Sequence, residues 1–498
     1  MDGNLILYAI GNVFVPYTFM MILTGVVMGI FIGALPGLSA TMGVALLLPL
    51  TFGMEPLPGL LVLIGIYNGA IFGGSISAIL LKTPGTPAAA ATAIDGYELA
   101  QNGQAGRAIG ISIVSSVFGG LFATVVLMTV APQLARIALQ FGSPEYFAMA
   151  IFGLSIIVGL SSQSLIKGIM VGLFGILLSM IGVDPLTGFA RFTFGNINLL
   201  GGISFIPVLI GIFAFTQSLV MIEDLLMDKK PEAAAKLKSV LPTLADLAKC
   251  KWTFLRSAAI GTFIGSIPGA GADVSAFIAY NEERRWSKNK DNMGKGEIAG
   301  VAAPETANNA TCGGAFIPLL TLGIPGDATT AIMLGALIMH GVRPGSALFT
   351  DQQPLLYSIF AGMIVTKLLL LFVAFAGLRL FVKVLSLKQE FLISTVIILC
   401  VIGSFAINNN IFDVWVMLVA GFLWFALGKC GFPQSPLVIA LILGPMAERE
   451  FRRSLVLSNG DFAIFYTSPI VIVLVTIAAI SLIFPLVHPF IKKRREAK

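Results

Sequence analysis

Two short stretches carry residue types that could do chemistry in an otherwise apolar chain: FIGALPGLSAT, Phe31 to Thr41, and FIGSIPGAGAD, Phe263 to Asp273. Each interrupts an apolar run with Pro-Gly and then presents small residues, hydroxyls or a carboxylate. A helix broken in this way frees backbone N–H groups at the start of its second arm, where the positive end of the dipole favours anions. Freed carbonyls and neighbouring side-chain oxygens suit a cation. Anion recognition beside cation coordination is the chemistry of a carrier.

Two more elements have the same design, Thr83-Pro84-Gly85-Thr86 after Lys82, and Pro325-Gly326-Asp327. The candidate substrate-binding residues are therefore Pro36, Gly37, Ser39 and Thr41; Lys82, Thr83, Pro84, Gly85 and Thr86; Pro268, Gly269, Ala270 and Gly271; and Pro325, Gly326 and Thr329. Lys82 is placed to pair with a substrate carboxylate, and a snorkelling lysine at a helix end is its competing reading. The candidate coupling-ion residues are Asp273, Glu305, Asn308, Asn309 and Asp327, since charged groups at membrane depth are costly and default to function. A sodium ion needs several oxygens, which points to Asn308, Asn309 and Asp327. Helix capping by Asp273 and Asp327, and polar interhelical packing around Glu305, compete with that assignment.

The elements that must position these residues are membrane helices. The chain has 498 residues, 57% hydrophobic and 11% charged, with a mean hydropathy of +0.93. Soluble domains carry about 25% charged residues, so an all-α polytopic membrane protein is expected. The apolar runs place spans at 17–53 (broken at Pro36-Gly37), 57–82, 106–131, 145–160, 164–184 and 198–222. A second set falls at 252–280 (broken at Pro268-Gly269), 297–322, 354–381, 390–408, 411–428, 433–446 and 463–487. The segments 84–105 and 324–345 read as half-helices.

The chain also repeats itself. FIGALPG and FIGSIPG agree at five of seven positions, 232 residues apart, and the later matches, NGAIFGG with NNATCGG and TPGT with IPGD, lie 240 and 241 residues apart. This divides the chain into a first membrane repeat (1–226, tips at Pro36-Gly37 and Pro84-Gly85), a cytoplasmic linker (227–251) and a second repeat (252–498, tips at Pro268-Gly269 and Pro325-Gly326). Residues 1–81 hold no Lys or Arg, whereas Lys249, Lys251, Arg256, Arg284 and Arg285 flank the second break. The positive-inside rule then sends the two broken segments in from opposite faces, as re-entrant hairpins with arms of roughly 20 Å, which makes an inverted repeat. The same rule leaves two courses for 433–460 and the C-terminal tail.

Several function classes are disfavoured. The net charge of +6 sits in loops beside apolar spans, which marks topology and not nucleic-acid binding. Cys250, Cys312, Cys400 and Cys430 form no CxxC pair, and with two histidines a zinc centre is not expected. The N-terminus lacks the basic start of a signal peptide, and no GxxxxGK[ST] loop is present to bind ATP. A passive anion channel is the nearest alternative and would need no coupling carboxylate. An intramembrane aspartyl enzyme would need Asp273 and Asp327 to share a proton.

The blocks GALPGLSATMGVALLLPLTFGM, YNGAIFGGSISAILLKTPGTPAAAATAIDGYELA and PETANNA…GGAFIPLLTLGIPGD resemble the large membrane subunit of tripartite tricarboxylate transporters, the TctA type. The resemblance runs over essentially the whole chain. It implies a multi-pass permease of the bacterial inner membrane working with a small four-helix membrane subunit and a periplasmic solute-binding protein. It further implies uptake of citrate or another carboxylate, with a Na+ or H+ gradient and no cofactor beyond that cation. Alternating access of elevator type fits such a plan, and monomer and homodimer are both compatible with it. The loops near 132–145 and 184–198 are the candidate docking surfaces for the binding protein.

Overall fold

The computed structural model describes residues 3–159, 165–184, 186–227, 242–287, 289–385 and 387–496. Helix α1 (Gly3–Val13) leads to α2 (Pro16–Ala34), which opens on a proline whose fixed φ and missing N–H suit a first helical turn. Leu35 then turns extended at φ −80°, ψ 119°, and Gly37 takes φ +89°, a conformation L-residues avoid. Ser39 restarts the chain as α3 (Ala40–Leu47), its hydroxyl accepting the Met42 N–H at 3.1 Å. The long apolar α4 (Pro56–Leu81) ends at Lys82, which is left-handed at φ 57°. After the tip at Pro84-Gly85 come α5 (Thr92–Leu99), a π-helical turn bent at Gly103, and α6 (Ala105–Ala138).

Next are α7 (Ser143–Gly159) and α8 (Leu165–Ser179), then a loop holding β1 (Gly182–Val183) antiparallel to β2 (Ala190–Arg191). The helix α9 (Phe205–Leu209) passes through a π-helical turn into α10 (Thr216–Leu226). The second broken element begins at α11 (Leu244–Ser266), closed at its start by reciprocal bonds between Thr243 and Asp246. Arg107 also binds Asp246 and holds its carboxyl below the usual carboxylate range. Ile267 is extended at φ −89°, ψ 115° and Gly269 has φ +85°, so the break begins as the first does, and it departs at Gly271, left-handed at φ +70° where Ser39 is extended at φ −106°. Then follow α12 (Gly271–Trp286), α13 (Ala299–Leu322), the left-handed Gly323 at φ 71°, and α14 (Ala328–Met339). The chain closes with α15 (Gln353–Val384), α16 (Gln389–Asn408), α17 (Ile411–Lys429), α18 (Ser435–Leu457), α19 (Ile464–Thr467) and α20 (Pro469–Glu496). Among the described residues, seven helices are long and apolar enough to cross a membrane.

Close approach between helices depends on glycine. A Cβ at Gly69 would lie 2.6 Å from the Val26 carbonyl oxygen, and one at Gly73 2.5 Å from that of Ile30, so α2 and α4 meet backbone to backbone. On α11 and α13 a Cβ at Gly265 would lie 2.5 Å from the Thr311 carbonyl oxygen. Small residues at four-residue spacing give membrane helices this packing in place of a hydrophobic drive. The contacts recur along the chain: Gly85 sits against Gly33 and Gly74, and Gly326 against Gly265 and Ala315.

The chain forms two compact units, one of residues 1–135 and 217–403, the other of 136–216 and 404–498. Each unit draws on both sequence halves, so the spatial division differs from the division into repeats. All four Pro-Gly tips belong to the first unit. Three expectations change in detail. Residues 228–241 of the expected 227–251 linker lie outside the described residues, and 244–251 are already helix. The second broken element therefore has arms of 23 and 16 residues, because the charged stretch LADLAKCKW continues the helix once Thr243 caps it. The span expected at 433–446 runs on as helix to Leu457, through the charged segment beyond Pro445. In that second unit Arg191 binds Glu448 at 2.5 Å and Arg452 binds Asp184 at 2.7 Å, tying the β1–β2 loop to α18. Phe189, Phe192 and Phe194 of that loop are exposed.

Gly265→Leu should cost about 3 kcal/mol or more, since the obstructing atom is backbone. Gly428→Ala, on an exposed face of α17 with no atom near its added Cβ, should be neutral or slightly stabilising. Folded yield and unfolding midpoint in detergent check both, and equal behaviour of the two variants would refute the close-packing account.

Candidate functional site

Interactions within the first unit join the tips from both halves. Thr41, on the arm after the first break, lies 2.8 Å hydroxyl to hydroxyl from Thr329, on the arm after the last. The Gly269 N–H donates to the Gly326 carbonyl at 2.6 Å, and Gly85 packs on Gly33. The Tyr67 hydroxyl of α4 donates to Asp327 Oδ2 at 2.5 Å. Asp327 also caps α14, where Oδ1 accepts from the Thr330 N–H and the Thr330 hydroxyl, both at 2.7 Å. The cap and the contact across halves thus use different oxygens of one buried carboxylate.

The other candidates vary in their surroundings. Pro268, Ala270, Pro325 and Gly326 are buried; Pro36, Ser39, Gly271 and Pro84 are half-buried; Gly37 is exposed. Thr83 is exposed and bonds the Leu81 carbonyl. Thr86 stands 241 residues before Asp327, and its Oγ1 is buried without a hydrogen-bond partner. A buried hydroxyl left this way costs stability unless a ligand or water satisfies it. Lys82 is exposed, with its ammonium 5.0 Å from the centre of the Tyr97 ring. Asp273 is exposed in the first turn of α12, and among the described residues shares no hydrogen bond with Asp327.

Glu305 forms a second polar centre on α13, wholly buried. Its Oε1 accepts from Thr92 at 2.6 Å and Asn308 at 3.2 Å, and its Oε2 from Ser112 at 3.1 Å and Ser116 at 3.2 Å. Asn309 Nδ2 donates to Asn308 Oδ1 at 2.9 Å, and Lys367 of α15 donates to Asn309 Oδ1 at 3.0 Å. Glu305, Asn308 and Asn309 are therefore together, as their spacing on one helix predicts. Asp327 is bonded instead to Tyr67 and Thr330, and among the described residues shares no hydrogen bond with those three side chains. Among the described residues no group of three His, Cys, Asp or Glu side chains is arranged to hold a metal ion.

Sequence reasoning overlooked Tyr67, Thr92, Ser112, Ser116, Lys367 and Asp95. Lys367 had a visible signal, a lone charge at the middle of the apolar run GMIVTKLLLLFV. Asp95 ties α5 to the loop before α13: Oδ1 accepts the backbone N–H of Gly294, Gly296 and Glu297 at 2.8–2.9 Å. Its Oδ2 accepts from the Tyr280 hydroxyl at 2.8 Å. No spacing rule on a sequence links residues 95 and 296.

Apolar spanning helices, backbone-close packing and buried charged centres beside interrupted helices define a multi-pass α-helical membrane protein. The particular family follows from comparison: residues 19–439 match the tripartite tricarboxylate transporter TctA family, and the chain belongs to it. That family is the large membrane subunit of a tripartite transporter. A protein of Agrobacterium vitis, described as an uncharacterized 52.8 kDa protein in the TAR-I ttuC' 3'region, is 37% identical over 95% of this chain and 93% of its own length. Another from the same organism, in the TAR-II ttuC' 3'region, is 38% identical over 47% of this chain and 97% of its own. No solved structure matches the chain.

Asp95→Ala should lower the unfolding midpoint by the equivalent of about 3 kcal/mol, since one phenol and three N–H donors lose their acceptor. Asp95→Asn keeps an acceptor oxygen and should lose less than half as much. A thermal melt of both variants decides this, and equal losses would show that charge, not the bond geometry, holds the loop.

Proposed function

We propose that this chain is the permease subunit of a binding-protein-dependent secondary transporter that takes up carboxylates, citrate or related organic acids, on a Na+ or H+ gradient. The observation that carries this reading is the joining of elements from both halves within one compact unit, Thr41 after the first break to Thr329 after the last and Tyr67 of α4 to Asp327. Two breaks that begin alike, taken as an inverted repeat, would place the N-termini of their second arms at a common site from opposite faces of the bilayer. Substrate carboxylates would meet freed N–H groups, the Ser39, Thr41, Thr329 and Thr86 hydroxyls, and Lys82 where it reaches the site. Asp327 is the coupling carboxylate in this scheme: its ionised form repels the anion, so substrate and cation bind together.

The compact unit carrying the tips would move as a body in alternating access of elevator type. A periplasmic binding protein delivers the substrate and a small four-helix membrane subunit completes the complex in the bacterial inner membrane.

The test reconstitutes the permease with both partners and follows labelled carboxylates under imposed sodium or proton gradients. Accumulation above equilibrium is expected with one of the two gradients, and Asp327→Asn should cut the initial rate at least ~10-fold, the size of one lost charge-assisted bond. Equilibration without accumulation under either gradient would make the protein a passive channel.

A further inference from the structure

Lys367 is the one buried Lys or Arg among the described residues, and the mechanism above does not use it. It lies midway along α15, packs against Gly120 of α6, and is 2% exposed. No carboxylate lies in salt-bridge range of it among the described residues, although an unpaired ammonium in such surroundings is costly. Its partner is Asn309 Oδ1, and from there the bonds run one way: Asn309 Nδ2 to Asn308 Oδ1, and Asn308 Nδ2 to Glu305 Oε1. Both amide dipoles point their oxygens toward the ammonium and their N–H groups toward the carboxylate. Aligned dipoles stabilise opposite charges at the two ends of such a chain.

We propose that the Lys367 ammonium fills the cation position made by the amide oxygens of α13, and with Glu305 forms an internal ion pair relayed through Asn309 and Asn308. The cluster is then neutral and closed. A sodium ion at Asn308 and Asn309 would bring a second positive charge beside the first, so the coupling cation binds elsewhere. This deepens the carrier reading and rests on it only for its meaning in transport; the pair itself is a property of the folded chain. Glu305 accepts from four donors, which favour its ionised form and offset part of the cost of its burial. Lys367 acts as a positioning residue that excludes metal from this cluster.

The test measures unfolding midpoints of the full-length permease in sodium chloride and in choline chloride, for the wild type, Lys367→Met, Glu305→Gln and the double variant. Each single variant leaves one charge buried without its counterpart and should lose roughly 5–10 °C in choline. The double variant should recover most of that loss, because both charges go together. Sodium should raise the midpoint of Lys367→Met, whose cation position is vacated, and leave Glu305→Gln unmoved. Additive losses in the double variant overturn the pair. A Lys367→Met midpoint that ignores sodium overturns the claim that the ammonium fills a cation site, as does a wild-type sodium stabilisation abolished by Asn308→Leu. If Lys367→Met gives no folded protein, folded yield of the double variant reads the same question: recovery supports the pair and absence overturns it. These midpoints need no substrate, so they hold whichever way the uptake experiment falls.

Discussion

Interrupting a helix inside hydrocarbon frees backbone groups that water cannot reach, and the fold is organised around satisfying them. The chain uses its own backbone and side chains for this purpose. Gly269 donates to Gly326, Ser39 and Asp327 cap the arms that follow two of the breaks, and Thr41 meets Thr329 from the other half. These contacts require the helices to lie backbone against backbone. Glycines on α2, α4 and α11 are therefore part of the same requirement, because any larger residue would hold the tips apart.

Buried charge follows a second rule, that each ion must find an opposite charge or enough donors. The first unit answers it in three ways. Asp327 takes a phenol and a helix start, Asp95 takes three backbone N–H groups and a phenol, and Glu305 takes four side-chain donors. Full satisfaction of this kind rigidifies a site, and the Thr86 hydroxyl is a buried exception. The contrast matters for function, since a saturated network holds geometry while an open group can receive a ligand.

The positions of the breaks, the clustering of Glu305 with Asn308 and Asn309, and the helical class were all legible beforehand. Pro-Gly beyond a helix's first turn removes a backbone bond and favours a break, and three or four residues along α13 return to one face. The extent of α11 and α18 was not legible, because hydropathy stops at charged residues whereas a helix continues while its backbone is bonded and its start is capped. Lys367 was not legible as part of the polar centre for a different reason: it lies midway along α15, a helix with no Pro-Gly break, and its spacing from Asn309 carries no helical period. The spatial units also crossed the sequence halves, since α3 packs against α14, and α4 and α5 pack against α13.

By itself the sequence determined a multi-pass helical protein, four Pro-Gly interruptions and the recurrence that relates them, because composition and local backbone chemistry decide these. Only the tertiary structure decided that Asp327 faces Tyr67, that Asp95 receives N–H groups from a loop some 200 residues away, and that Lys367 reaches Glu305 through two amides. Each of those pairings joins residues whose separation along the chain carries no periodic signal. They form because a buried polar group must find a partner, and the packed helices alone determine which one is near.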